Sequence, residues 1–187
     1  MGTEVFPKLY PGDIAATRGS GLQLWLNQKC VTPKTDRLHF FVMGDYLPWD
    51  DDYVILESIS KGITVGRLSF YRPEDLEIYR VNIENWKELG KKAAAELTKH
   101  GRAHYDHLLV AKLALGVLLL LLRGKKPPWE PMQFPYGRDA KFICSEAAAE
   151  AWRGIGHPVI PKGVVPLAST FVQALQEGRI RKIFPKP

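Results

Sequence analysis

The chain has little sulfur to work with: it carries two cysteines in 187 residues, Cys30 and Cys144, and they lie far apart. Two such thiols do not make a disulfide framework, so a reducing compartment suits the chain and Cys144 is left free to react. No apolar run reaches the roughly 20 residues that a membrane span requires. The first dozen residues lack the basic start and apolar stretch of a signal peptide, so the expected location is cytoplasmic. Met1-Gly2 does not open a myristoylation signal, because Phe6 stands where a serine or threonine is wanted. Without an internal repeat or a low-complexity linker, residues 1–187 read as one domain, long enough to bury one core. Gly19-Ser20-Gly21 has no following Gly-Lys-Ser/Thr, which excludes a P-loop and leaves a flexible loop.

Charge and metal chemistry narrow the reading further. The net charge of +6 is scattered along the chain. Clusters at Arg123-Gly124-Lys125-Lys126 and Arg179-Ile180-Arg181-Lys182 read as solvated surface, and no nucleic-acid partner is expected. His100, His104 and His107 fall at helical spacing, but Gly101 weakens a helix there and no cysteine lies nearby, so no metal is expected. Asp50-Asp51-Asp52 lacks the glycine and distal glutamate of a calcium loop and reads as a polar turn. No cofactor is expected.

What the chain does contain is a strand-rich first part and a helix-rich second part. Asp13–Thr17, His39–Met43, Tyr53–Ser58 and Gly62–Val65 are short apolar or β-branched runs separated by Gly, Pro and Asp, and read as a small antiparallel sheet. From Ile83 to His100 a helical period places Trp86, Leu89, Ala93 and Leu97 on one face. Strands followed by helices, without repeated alternation, point to an α+β architecture. Leu108 to Leu122, interrupted by Lys112 and Gly116, is too short to span a bilayer and reads as a buried helix that shapes an apolar pocket, with peripheral membrane contact as the alternative.

The chemistry concentrates on Cys144. A strand-like Lys141-Phe142-Ile143 gives way there to Ser145-Glu146-Ala147-Ala148-Ala149, which favours helix. A thiol at a helix N-terminus faces unpaired N–H groups and the positive end of the macrodipole, which stabilise the thiolate. His39 opens a strand whose alternation sets it on the side of Phe41 and Met43, and an imidazole is what a nucleophilic thiol needs as base. Glu57 ends the apolar run Val54-Ile55-Leu56, where an unpaired carboxylate is costly, so a partner such as an imidazolium is expected.

Five segments in order carry a resemblance: Tyr10-Pro11-Gly12-Asp13-Ile14, His39-Phe40-Phe41-Val42, Ile55-Leu56-Glu57-Ser58 with Lys61-Gly62-Ile63, Gly101 to Asp106, and Phe142-Ile143-Cys144-Ser145-Glu146. The chain resembles the permuted NlpC/p60 papain-like hydrolases of the YiiX/YebB type, in which the histidine strand precedes the cysteine helix. The resemblance spans Tyr10 to Trp152 and implies a circularly permuted papain-like fold, with a small antiparallel sheet packed against helices and an apolar helical insertion at about 107–140. It implies Cys144 as nucleophile, His39 as base, Glu57 as the third polar residue and Tyr105 as a residue lining the oxyanion region. The chain departs from the pattern around the histidine, with Leu38 before it and Phe40-Phe41 after it, where the family usually has serine and glycine.

The expected activity is a cysteine hydrolase cleaving an amide or thioester bond through an acyl-enzyme. Its substrate class is a small-molecule, peptide or lipid-like acyl compound. Two alternatives remain open. One is an acyltransferase resembling the lecithin:retinol acyltransferase branch, and the other is a catalytically silent binding module of the same fold.

Overall fold

The β-branched and aromatic runs of the first half pair as antiparallel neighbours and recruit one more strand from the far end of the chain. In the computed structural model, which describes residues 6–101, 103–134 and 141–185, the strands are β1 (Ile14–Arg18), β2 (Arg37–Leu47), β3 (Asp52–Ile59), β4 (Gly62–Arg67), β5 (Leu76–Val81) and β6 (Ile180–Phe184). They form a six-stranded sheet in the order β4-β3-β2-β1-β5-β6, antiparallel throughout. Among the described residues five α-helices complete an α+β architecture: α1 (Gly21–Cys30), α2 (Trp86–Thr98), α3 (His107–Leu122), α4 (Cys144–Arg153) and α5 (Ala168–Gln176).

Alternation along the strands builds a core on each face of the sheet. Leu38, Phe40 and Val42 of β2 join Ile14, Ala16 and Leu56 beneath α2, α4 and α5, where Ala93, Leu97, Ala148, Trp152 and Phe171 complete the larger cluster. Phe41 and Met43 point the other way and pack with Ala15, Ile55 and Ile78 under Leu9, Leu68 and Leu76. Full burial of each large side chain contributes about 1.5–3 kcal/mol, so a strand buried on both faces is strongly fixed in register. A third cluster lies away from the sheet, where Leu120 of α3 meets Cys30, Val31, Trp129, Phe134 and Val165.

The Pro11-Gly12-Asp13 turn explains itself structurally. Gly12 adopts φ +87°, and a Cβ on it would meet the Gly90 Cα of α2 at 2.3 Å. Only glycine permits both that backbone angle and that approach. The Gly12 carbonyl accepts from Trp152 Nε1 at 3.0 Å, tying the turn to α4. Asp13 is buried and accepts from Arg80 Nε and Nη2 at 2.8 and 2.7 Å, while the Arg80 guanidinium lies 3.9 Å from the Trp86 ring centre.

The structure differs from the sequence reading in several places, among them β5 and the basic cluster Arg179–Lys182, which enters β6. Gly19-Ser20-Gly21 is no flexible loop: Ser20 is the extended N-cap of α1 and Gly21 its first residue. The helix expected over 83–100 is shorter and starts after Asn85. Lys141-Phe142-Ile143 forms no strand, only a single parallel bridge from Phe142 to Tyr105. The largest difference is α3. Leu109, Gly116 and Leu120 are its buried residues, whereas Leu108, Leu115, Leu118, Leu119, Leu121 and Leu122 are exposed. Its sequence is apolar on every side, so periodicity could not identify which stripe the domain covers. Among the described residues no helix is long and apolar enough to cross a membrane. Residues 135–140 of the expected insertion lie outside the described residues.

Candidate active site

Three elements distant in sequence deliver Cys144, His39 and Glu57 to one end of the sheet. On β2, Thr17 of β1 pairs with His39 but Arg18 pairs with Arg37, so Leu38 is the extra residue of a bulge immediately beside the histidine. Bulges re-aim side chains and recur next to functional sites. Glu57 of β3 pairs with Phe41, which makes it the diagonal neighbour of His39 on the same face of the sheet. The carboxylate uses that adjacency: Glu57 Oε2 lies 2.8 Å from His39 Nε2. Gly66 of β4 leaves the room, since a Cβ there would stand 2.9 Å from Glu57 Oε1.

Cys144 is the first residue of α4, entered from an extended Ile143 without a side-chain cap. The first N–H groups of such a helix have no intrahelical acceptor. Its Sγ lies 3.5 Å from the carbonyl oxygen of the bulged Leu38. The approach to the helix is held by three bonds on Phe142. Its N–H donates to His104 O at 3.2 Å, and its carbonyl accepts from Asp106 N at 3.2 Å and from Ser58 Oγ at 2.9 Å. These bonds run Tyr105 alongside the cysteine segment.

The electrostatics tie the groups together. Burial disfavours a charged His39 ring, but hydrogen bonds to Cys144 and Glu57, and the negative charge of both, outweigh it and raise its pKa to about 9. Glu57 and the Tyr71 hydroxyl both meet the ring at Nε2. Glu57 is pulled in the opposite direction: burial raises its pKa, yet the His39 and Tyr71 hydrogen bonds and the imidazolium charge bring it below the ordinary value. Burial pushes the Tyr105 hydroxyl up, and the charges of Cys144 and Asp106 add to the shift.

Tyr71 completes the cluster and was not anticipated from the sequence. Its hydroxyl donates to Glu57 Oε2 at 2.6 Å and lies 3.2 Å from His39 Nε2. Its ring stacks on Phe41 with centres 4.8 Å apart. The turn that carries it is pinned by buried Asp52, which accepts from Ser69 N at 3.2 Å and Ser69 Oγ at 2.6 Å. Tyr71 sits in the connection between β4 and β5, where no spacing rule marks it. Asp50 and Asp51 lie in the expected polar turn, Asp51 at φ 49°, but Asp52 is buried and opens β3. The three histidines do not share a helix: His100 follows α2, His104 lies between helices and His107 starts α3. Among the described residues no group of three His, Cys, Asp or Glu could hold a metal ion.

A cavity of about 460 Å³ opens on the thiol. Leu26 and Val31 at α1, Leu113 and Val117 of α3, Phe134 and Leu167 give it apolar walls, and Cys144, Ser145, Tyr105, Asn27 and His107 also line it. That volume is typical of small-molecule sites, which are mostly apolar with a few polar groups. Cys30 is buried in the neighbouring cluster, where desolvation raises its pKa. No protein-family model matches this sequence, and no curated protein matches it.

Proposed function

We propose that the chain is a cysteine hydrolase of permuted papain-like type that cleaves an acyl bond, an amide or a thioester, through an acyl-enzyme on Cys144. The observation that carries this reading is the convergence of a helix-start thiol, 3.5 Å from the carbonyl oxygen of Leu38, with the adjacent His39, whose Nε2 lies 2.8 Å from the Glu57 carboxylate. Such a constellation is recognised by geometry and roles rather than by sequence position.

The chemistry follows from the groups present. A His39 pKa near 9 keeps the ring protonated at neutral pH, which is the state that stabilises an adjacent thiolate. The Cys144 sulfur attacks the carbonyl carbon, a C–S bond forms, and the carbonyl oxygen takes the negative charge. The uncapped N–H groups that open α4 and the neutral Tyr105 hydroxyl are the donors available to that oxyanion. His39 then gives its proton to the leaving nitrogen or sulfur as the scissile bond breaks. In the second half neutral His39 takes a proton from water, whose oxygen attacks the thioester carbon. The carboxylic acid departs, and the thiolate and imidazolium are restored. Glu57 holds the tautomer and the charge of the ring, and Tyr71 holds Glu57.

One observation favours a second reading, acyl transfer to an acceptor other than water: Cys144 lines a cavity whose walls are mostly apolar and would shield an acyl chain. Intact-mass measurement tests both. Wild type exposed to fatty-acyl thioesters and to peptide amides should gain one acyl mass on Cys144, and Cys144→Ala should gain none. Loss of the adduct in water alone marks hydrolysis, and loss only on adding an amine or alcohol marks transfer. Absence of any adduct with every donor, while iodoacetamide modifies Cys30 in preference to Cys144, would sink the assignment.

A further inference from the structure

Helix α3 has three stripes. At about 100° per residue, Leu109, Gly116 and Leu120 fall together on the side buried against the domain. Val110, Leu113, Ala114 and Val117 fall on the adjoining side and line the cavity. Leu108, Leu115, Leu118, Leu119 and Leu122 make the third stripe, which none of the described residues covers, with Leu122 75% exposed and Leu108 and Leu115 each 53%. Contiguous apolar surface of that kind on a protein marks an interaction site.

The charges around this stripe select its occupant. From His107 to Trp129 the sequence contains no aspartate or glutamate, and the helix runs directly into Arg123, Lys125 and Lys126, all exposed. A cluster of cations beside an apolar helix face matches anionic lipid headgroups above acyl chains. A second copy of the chain fits less well, because its own cations would meet a helix with no carboxylate to receive them. Spanning is excluded by length: 16 residues make a helix of about 24 Å, short of the roughly 30 Å hydrocarbon core. We propose that α3 lies in the plane of an anionic bilayer surface, with Leu108, Leu115, Leu118, Leu119 and Leu122 at the boundary of headgroups and acyl chains and Arg123, Lys125 and Lys126 on lipid phosphates. This docking does not depend on the thiol chemistry. It sets the cavity-lining stripe beside the membrane-facing one, so a lipid-like acyl group has a short path to Cys144.

Co-sedimentation with phosphatidylcholine vesicles, with and without phosphatidylserine, tests the docking directly. Wild type is expected to pellet with the phosphatidylserine vesicles and far less with phosphatidylcholine alone. Leu119→Lys should lower the partition coefficient at least tenfold, and Arg123→Ala/Lys125→Ala/Lys126→Ala should remove the preference for phosphatidylserine. Circular dichroism of each variant in the absence of lipid checks the fold, and Leu118→Trp supplies a second readout that needs no loss of function: its fluorescence should be quenched by brominated acyl chains. Failure of wild type to bind phosphatidylserine vesicles, binding that the leucine and cation changes leave untouched, or no quenching of Trp at 118 would each overturn the proposal. A lipid-free dimer in analytical ultracentrifugation that Leu119→Lys dissociates would overturn it as well, and would assign the stripe to a second copy. Acyl-enzyme formation on a water-soluble donor is read separately from all of these, so failure of docking and failure of the hydrolase reading are distinguishable.

Discussion

Helices α3 and α4 invert the usual relation between composition and burial. α4 carries Glu146, Glu150 and Arg153 in ten residues, yet everything from Cys144 to Trp152 is buried. α3 has Lys112 as its one charged residue among sixteen, yet only Leu109, Gly116 and Leu120 are buried. Shape decides this more than polarity. Ala147, Ala148, Ala149 and Ala151 let the α4 backbone approach β2 closely, and the Glu150 carboxylate pairs with Arg153 at 3.1 Å. Leucine on every side of α3 cannot all face one domain, so most of the hydrocarbon is left outside. Under the two proposals above, the buried helix carries the chemistry and the exposed one the docking.

The sharpest way to break that division is to strike each helix and see which property falls. Cys144→Ala is expected to remove acyl-enzyme formation and lower turnover at least about 10³-fold while leaving vesicle binding unchanged. Parallel activity and sedimentation measurements check it. Residual turnover within tenfold of wild type would take the nucleophile away from α4. His39→Ala comes next, with a loss of about 10²–10⁴-fold in the rate of Cys144 acylation, measured in single turnovers of a thioester.

Turnover should also show where the imidazolium is lost. The raised His39 pKa means that the ring holds its proton below about pH 9 and releases it as pH rises through that value. Above it the leaving group has no acid, so turnover is expected to fall on an alkaline limb near pH 9. Glu57→Gln removes the negative charge that helps to hold the proton, so the limb should move to lower pH by about one unit or more. Tyr71→Phe, which removes a donor from Glu57 but no charge, should move it less. A pH profile unchanged in Glu57→Gln would separate Glu57 from the ring and leave it a structural carboxylate.

Much of this arrangement was legible before any coordinates. The turn residues around the runs that became β1 to β4 placed all four strands, although β2 extends from Arg37 to Leu47, well beyond the expected His39–Met43, and the alanine run after Cys144 located the start of α4 to the residue. β5 and β6 were missed for different reasons. Leu76–Val81 mixes Glu77 and Arg80 into its alternation, and these meet Lys182 and Asp13 across the sheet, which sequence cannot anticipate. Ile180–Phe184 reads as a basic cluster because its apolar partners lie a hundred residues earlier on β5. Cys144, His39 and Glu57 were findable because each carries a chemically marked side chain in an informative local context. Tyr71 carries no such mark. It matters only through Asp52 and Ser69, which fix its turn, and that is a tertiary fact.

The smallest effects sharpen the comparison most, because they separate packing from docking in a single measurement. Ala148 sits fully buried where α4 touches the sheet, so Ala148→Leu forces extra methylenes into a filled space at a cost of about 1–3 kcal/mol. In a chain of this size that lowers Tm by roughly 2–12 °C. Leu118 lies on the outward stripe of α3 and is 50% exposed, so Leu118→Gln deletes an apolar surface but no core contact. Its stability should stay within about 0.5 kcal/mol of wild type, a change in Tm of no more than about 2 °C. Thermal unfolding of the two variants side by side, without lipid, checks both. If Leu118→Gln were the more damaging change, α3 would be held by the domain after all and its leucines would not be waiting for another surface.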